Sequence, residues 1–111
     1  MIVKSLEEFD NILDEVQLES SISCDVNRAD FVETVELIIE LLNNKYFNEN
    51  SENAFDDPEA IVALQNLKNG NPIADGDYFA DCVDALMWYL ECADKQHVFG
   101  TEGWKQILGW N

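Results

Sequence analysis

The side chains of this sequence best suited to nucleophilic or neutral-pH proton chemistry are one histidine, His97, and three cysteines, Cys24, Cys82 and Cys92. A hydrolase or transferase needs an activated nucleophile or a general base held against its substrate. His97 stands alone in a turn-like stretch, where an isolated histidine reads as structural. Cys92 is close to it, but Cys24 and Cys82 lack the spacing of zinc ligands. Asn48 to Glu59 has the length and acidity of a calcium loop, with Asn50 and Glu52 at the third and fifth positions. Its sixth position is Asn53, where the tight turn calls for glycine, and Pro58 intrudes. The pair Asp56-Asp57 has the look of a glycosidase dyad, yet 23 acidic residues make such pairs by chance. No glycine-rich phosphate loop is present. The expectation is a non-catalytic protein with no metal and no cofactor.

Recognition chemistry is better represented. Asp77, Asp81, Asp84, Trp88 and Glu91 step by four, three, four and three, which sets them on one face of a helix, away from Phe79, Val83 and Leu90. A tryptophan ringed by carboxylates has the composition of an interface anchor for a cationic partner. The competing reading packs Trp88 under the Tyr46–Phe55 segment and leaves the carboxylates as a solvated face. A second candidate row is Glu33, Glu36 and Glu40, on the helix before.

Helices must position these groups, because apolar residues recur mainly at helical spacing. Ser5 and Glu8 form a capping-box pair, followed by the apolar face Leu6, Phe9, Ile12, Leu13 and Val16, with Glu7, Asp10 and Asp14 opposite. After a polar stretch, Asp25 or Asn27 caps a second helix running to about Asn43. Its broad stripe of Phe31, Val32, Val35, Ile38, Ile39, Leu41 and Leu42 predicts the central, most buried helix. Asp57-Pro58 starts a third, with an N-cap and an N1 proline, and Lys68-Asn69-Gly70 closes it. Asn71-Pro72 and Asp75-Gly76 mark a loop. A fourth helix runs from about Asp77 to Asp94 on Phe79, Val83, Leu86 and Leu90, and carries both Cys82 and Cys92. Residues 101–110 form a short capped helix, and strand signals are confined to Ile2-Val3 and His97-Val98-Phe99. The fold expected is all-α: a single domain over residues 1–111, built as a compact bundle of four to five helices with short extended pieces at the ends.

The chain has 111 residues, 23 acids against 6 bases, and a formal charge of −17, while 47% of its residues are hydrophobic and 11% aromatic. That apolar content excludes an acidic disordered tail. The scarcity of cations excludes direct nucleic-acid binding and attraction to an anionic membrane. The stretch Met1–Glu8 has no basic region followed by a long apolar run, so a secretory signal is not expected, and no run approaches membrane-spanning length. With an odd number of cysteines, this favours free thiols in the cytoplasm. Residues 1–44 carry −9, residues 45–60 carry −4 and residues 61–111 carry −4. A charge this far from zero costs self-repulsion and exceeds what solubility needs. An acid-rich host proteome is the bland explanation, and complementarity to a basic protein surface the functional one. Exposed aromatics around Trp104 and Trp110 leave monomer and homodimer both open.

In its small size, acidic helical body and Asp77–Glu91 face with Trp88, the chain resembles, as a type, the bacterial immunity proteins that neutralise nuclease toxins of the colicin and contact-dependent-inhibition kind. The resemblance rests on no family motif and carries over no residue. It implies an inhibitor of a basic nuclease-type toxin domain, whose carboxylates stand in for phosphates in the toxin's cleft. The alternatives are a phage-encoded nucleic-acid mimic that blocks a host DNA-binding or defence protein, and a helical adaptor with no inhibitory role.

Overall fold

A computed structural model describes residues 1–47 and 55–110, and their regular structure is entirely helical: α1 Leu6–Glu19, α2 Asp25–Lys45, α3 Pro58–Lys68, α4 Gly76–Lys95 and α5 Gly103–Ile107. The all-α expectation holds. The sequence signals for helix ends map onto real caps. Ser5 Oγ accepts the Glu8 N–H at 3.1 Å, Asp57 accepts the Glu59 N–H at 2.9 Å, and Pro58 occupies the first turn of α3. Gly70 follows the C-cap Asn69 with φ +79°. There the Gly70 N–H reaches the Leu67 carbonyl and the Asn71 N–H the Asn66 carbonyl, the paired bonds of a Schellman stop.

Three boundaries differ from expectation. The cap of α2 is Cys24, without a side-chain bond, and Asp25 is the first helical residue, its carboxylate paired with Arg28 at 2.7 Å. The opening of α4 is at Gly76, capped by Asp75, whose carboxylate accepts the Tyr78 N–H at 3.0 Å. Asp75-Gly76 is therefore the start of a helix and not the end of a loop. The two stretches with faint strand signals pair with nothing as strands. Residues 97–99 instead close α4: His97 takes φ +55°, its N–H reaches the Asp94 carbonyl, and the Val98 N–H reaches Ala93. His97 is thus the left-handed residue of a second Schellman stop, which accounts for the lone histidine.

The central helix is α4, not α2: it packs against each of the other four helices. Phe79, Ala80, Val83, Leu86, Leu90 and Ala93 are buried along it. The breadth of an apolar stripe counts buried positions on one helix; centrality depends on how many neighbours that helix has. α4 combines large residues with the small Gly76, Ala80 and Ala93, so neighbours approach closely on more than one side. One continuous core joins Phe9 of α1, Phe31 of α2, Leu67 of α3, the α4 row and Trp104 of α5.

Trp104 and Trp110 are both buried, which removes the exposed-aromatic seam that a homodimer would have used. Phe9 stacks on Phe31 with centroids 4.8 Å apart and tilts against Trp110 at 5.5 Å. The Trp110 indole donates to the Val3 carbonyl at 2.7 Å, and the Val3 N–H donates to the buried Thr34 hydroxyl at 2.9 Å. α5 lacks a cap of its own. Asp94 on α4 supplies one, accepting the Trp104 N–H at 3.0 Å, while Glu91 accepts the Trp104 indole N–H at 3.1 Å. The three cysteines are free: Cys24 exposed, Cys92 half-buried and Cys82 buried. Among the described residues no helix is long and apolar enough to cross a membrane.

Candidate functional site

α1 and α4 lie antiparallel, and a contact of backbone on backbone sets their register. At Gly76 a Cβ would stand 2.2 Å from the Val16 carbonyl oxygen and 3.0 Å from that of Gln17, so only glycine lets the start of α4 reach the end of α1. Ser20, in the left-handed conformation at φ 56°, finishes α1 and accepts the Gly76 N–H on its hydroxyl at 3.2 Å. Its carbonyl accepts the Ile73 N–H at 2.8 Å. From this junction the two helices run back along one another.

The register brings two rows of carboxylates together. Asp77 is at the junction, where it accepts a bond from Gln17 at 3.0 Å. Further along, Asp84 of α4 comes within electrostatic range of Asp10 and Asp14 of α1 as well as of Asp81 on its own helix. Its carboxyl is raised above the ordinary aspartate value, first because the neighbouring helix removes part of its hydration and then through those three like charges. Asp10 is raised too, by lost hydration and by Asp14. The sequence placed Asp10 and Asp14 on the solvated back of the first helix. Their membership of the site depends on which face α4 covers, and the periodicity of α1 alone does not contain that information.

Trp88 is 62% exposed. Its ring meets Tyr89 edge-on at 5.2 Å, and Tyr89 in turn packs against Tyr46 and Phe47. Phe55 turns to Phe79 instead. Of the Tyr46–Phe55 segment, which the competing reading lays over Trp88, residues 48–54 lie outside the described part; its described end at Tyr46 and Phe47 reaches Trp88 through Tyr89. Beside Trp88 a groove of about 280 Å³ opens between the two helices, lined by Leu6, Asp10, Asp84, Met87, Trp88 and Glu91, with Trp104 at its end. Of the five residues predicted on α4, the structure gathers Asp84, Trp88 and Glu91 around this groove. It sets Asp81 next to Asp84, and it leaves Asp77 at the far end of the row on Gln17.

The second candidate row has a different character. Glu33 holds the amino group of Met1 at 2.6 Å and Glu36 holds the Lys68 ammonium of α3 at 3.4 Å. Glu40 is exposed at the edge of a shallow groove between α2 and Leu64. Two of the three carboxylates already have internal cations. None of the ion pairs among the described residues involves Asp10, Asp14, Asp81 or Asp84.

The calcium-loop reading of Asn48–Glu59 falls mostly on residues 48–54, outside the described part. Among the described residues no three His, Cys, Asp or Glu side chains are grouped as metal ligands would be. A larger groove of about 420 Å³ lies between α3 and the start of α4, lined by Pro58, Val62, Ala63, Ala74, Asp75 and Tyr78. Its two helix N-termini are filled by the Asp57 and Asp75 caps, and Asp57 also accepts from the Tyr78 hydroxyl. No known protein family matches the chain, and neither a curated protein nor a solved structure is significantly similar to it, so the face on α1 and α4 is the ground on which its function is argued.

Proposed function

We propose that this protein is a non-catalytic binder of a basic protein, and that the α1–α4 face centred on Trp88 makes the contact. The observation that carries the reading is the coincidence, on one surface, of an exposed tryptophan with four carboxylates, Asp10, Asp14, Asp81 and Asp84, that enter no ion pair among the described residues. Exposing an indole forgoes hydrophobic stabilisation, and crowding carboxylates costs repulsion. A cationic, partly apolar partner surface repays both. In the row Glu33, Glu36 and Glu40 two of the three carboxylates already hold cations, and it ranks second.

The partner class we propose is the nucleic-acid-binding cleft of a nuclease-type toxin domain, with the protein acting as its cytoplasmic immunity factor. Carboxylates on two facing helices would then occupy positions otherwise taken by phosphates. Support for this finer reading is the strongly acidic helical body of a small chain. A phage-encoded nucleic-acid mimic acting on a host DNA-binding protein shares the same surface chemistry and differs in its target.

The test is direct titration of the purified chain against the product of the neighbouring upstream gene and against a set of basic nuclease domains, at about 50 mM salt where screening is weak. A one-to-one complex with loss of nuclease activity is expected. Absence of tight binding to any cationic protein under those conditions removes the proposal.

A further inference from the structure

The groove beside Trp88 has features that a flat acidic patch lacks. Its lining is mixed: Leu6 and Met87 are apolar, Trp88 brings an indole, and Asp10 of α1 and Asp84 of α4 bring carboxylates from separate helices. At about 280 Å³ it falls just under the range of roughly 300–1,000 Å³ typical of pockets that enclose a small molecule. One long side chain suits that space better than a secondary-structure element, which is about 10 Å across. Glu91 is anchored by the Trp104 indole N–H, so the end of the groove is held in shape, and Trp104 itself is buried.

We propose that this groove receives a single arginine side chain from the partner, its guanidinium against the Trp88 ring and between Asp10 and Asp84, its methylenes along Leu6 and Met87. The reasons are chemical. A guanidinium is planar, stacks on an indole and gives forked bonds to carboxylates, whereas an ammonium is a strongly hydrated point charge with neither property. Two carboxylates lining one groove from different helices suit a donor fork that can bond along more than one edge. Met87 is a flexible thioether suited to an aliphatic stem. Trp104, at the end of the same groove, has Lys105 Nζ 5.6 Å from the centre of its ring. This inference rests on the proposed binding of a basic protein and specifies the side chain that would anchor it.

The experiment uses N-acetyl-arginine amide, its lysine analogue and its uncharged citrulline analogue as probes, followed by the indole N–H resonances of the three tryptophans in a titration of the ¹⁵N-labelled chain. The expected result is saturable movement of the Trp88 indole and of the Asp10 and Asp84 backbone signals with the arginine probe, weaker response to the lysine probe and none to citrulline. Asp84→Asn should weaken the arginine response two- to fivefold, as for loss of one exposed ion pair, and Trp88→Ala should remove the selectivity for arginine over lysine. Both positions are exposed, and retained helical circular dichroism checks that each variant is folded. Equal, diffuse shifts with arginine, lysine and sodium chloride would overturn the proposal, as would saturable shifts at another site. A basic protein that binds through the Trp88 face while the arginine probe leaves the groove untouched would also overturn it, with the proposed function intact. If the arginine probe binds here but no basic protein does, the groove's chemistry is upheld and the proposed function fails.

Discussion

Asp84 sits above the ordinary aspartate value of 3.8 because α1 strips part of its hydration and because Asp81, Asp10 and Asp14 are near. A carboxyl whose folded value is raised favours folding when protonated. Its contribution is complete below 3.8 and is lost as pH rises through the raised value. At neutral pH Asp84 therefore costs stability. Replacing it by asparagine should stabilise the folded chain by a few tenths of a kcal/mol at pH 7, the scale of a like-charge contact between neighbouring side chains, or about 1–3 °C in melting temperature. The gain should fade as pH approaches 3.8, where the carboxyl is already neutral. Urea midpoints for the two proteins across that pH range measure it, and a variant less stable than the parent at pH 7 would contradict the account. Stability is thus set against recognition at this side chain: the substitution that firms the fold is the one expected to weaken an arginine in the groove.

At the scale of elements, much of the helix order was legible. The Ser5 cap, the Asp57-Pro58 start, the Asn69-Gly70 stop and the apolar stripes are local properties, and each fell where its residues put it. The Asp77–Glu91 face was legible for the same reason, since helical spacing alone puts those residues together and outward. What depended on pairing between helices was not legible. Asp10 and Asp14 join the Trp88 face because of the α1–α4 register, and Glu33 and Glu36 take their cations from Met1 and Lys68, each 32 positions away. Trp104 and Trp110 looked exposed because a short terminal segment carries no periodicity long enough to show which side is covered. The register itself turns on Gly76. Alanine there meets the Val16 carbonyl at 2.2 Å, rigid backbone rather than a movable side chain, so α4 must shift. We expect Gly76→Ala to cost about 2–3 kcal/mol, at the upper end of overpacking penalties. It should also bring Asp84 and Asp10 out of alignment. A urea midpoint unchanged from the parent would mean that the junction is looser than its geometry implies.

For the whole molecule, −17 charges do not act as a uniform coat. Among the described residues the paired cations, Arg28, Lys68 and the Met1 amino group, meet partners on α2, whereas α1 carries six acids and no base and α4 five acids and one base, so the largest share of the surplus negative charge is on α1 and α4. Such a field speeds and orients encounter with a cationic protein, and salt weakens it. Reversing Asp81 to lysine, at the edge of the face, should lower the association rate with a bound basic partner severalfold and flatten its salt dependence. Trp88→Ala should leave association almost unchanged and raise dissociation by tenfold or more, as the loss of a central aromatic anchor does. Stopped-flow binding at two salt concentrations separates these effects. Unchanged rates in both variants would move the contact elsewhere, with Glu40 and its neighbours next in line.

The bond from the Trp110 indole to the Val3 carbonyl spans 107 positions of sequence and only 2.7 Å of space. It turns the described chain into a closed circuit, so that the helical neighbourhood has no privileged first member. Chains whose distant positions meet in this way tolerate being cut at a surface connection and rejoined where those positions meet. The same packing of α1 on α4 is then reachable from a chain that begins with α4. Recognition by the Trp88 face depends on which helices are neighbours and not on the order in which they are written.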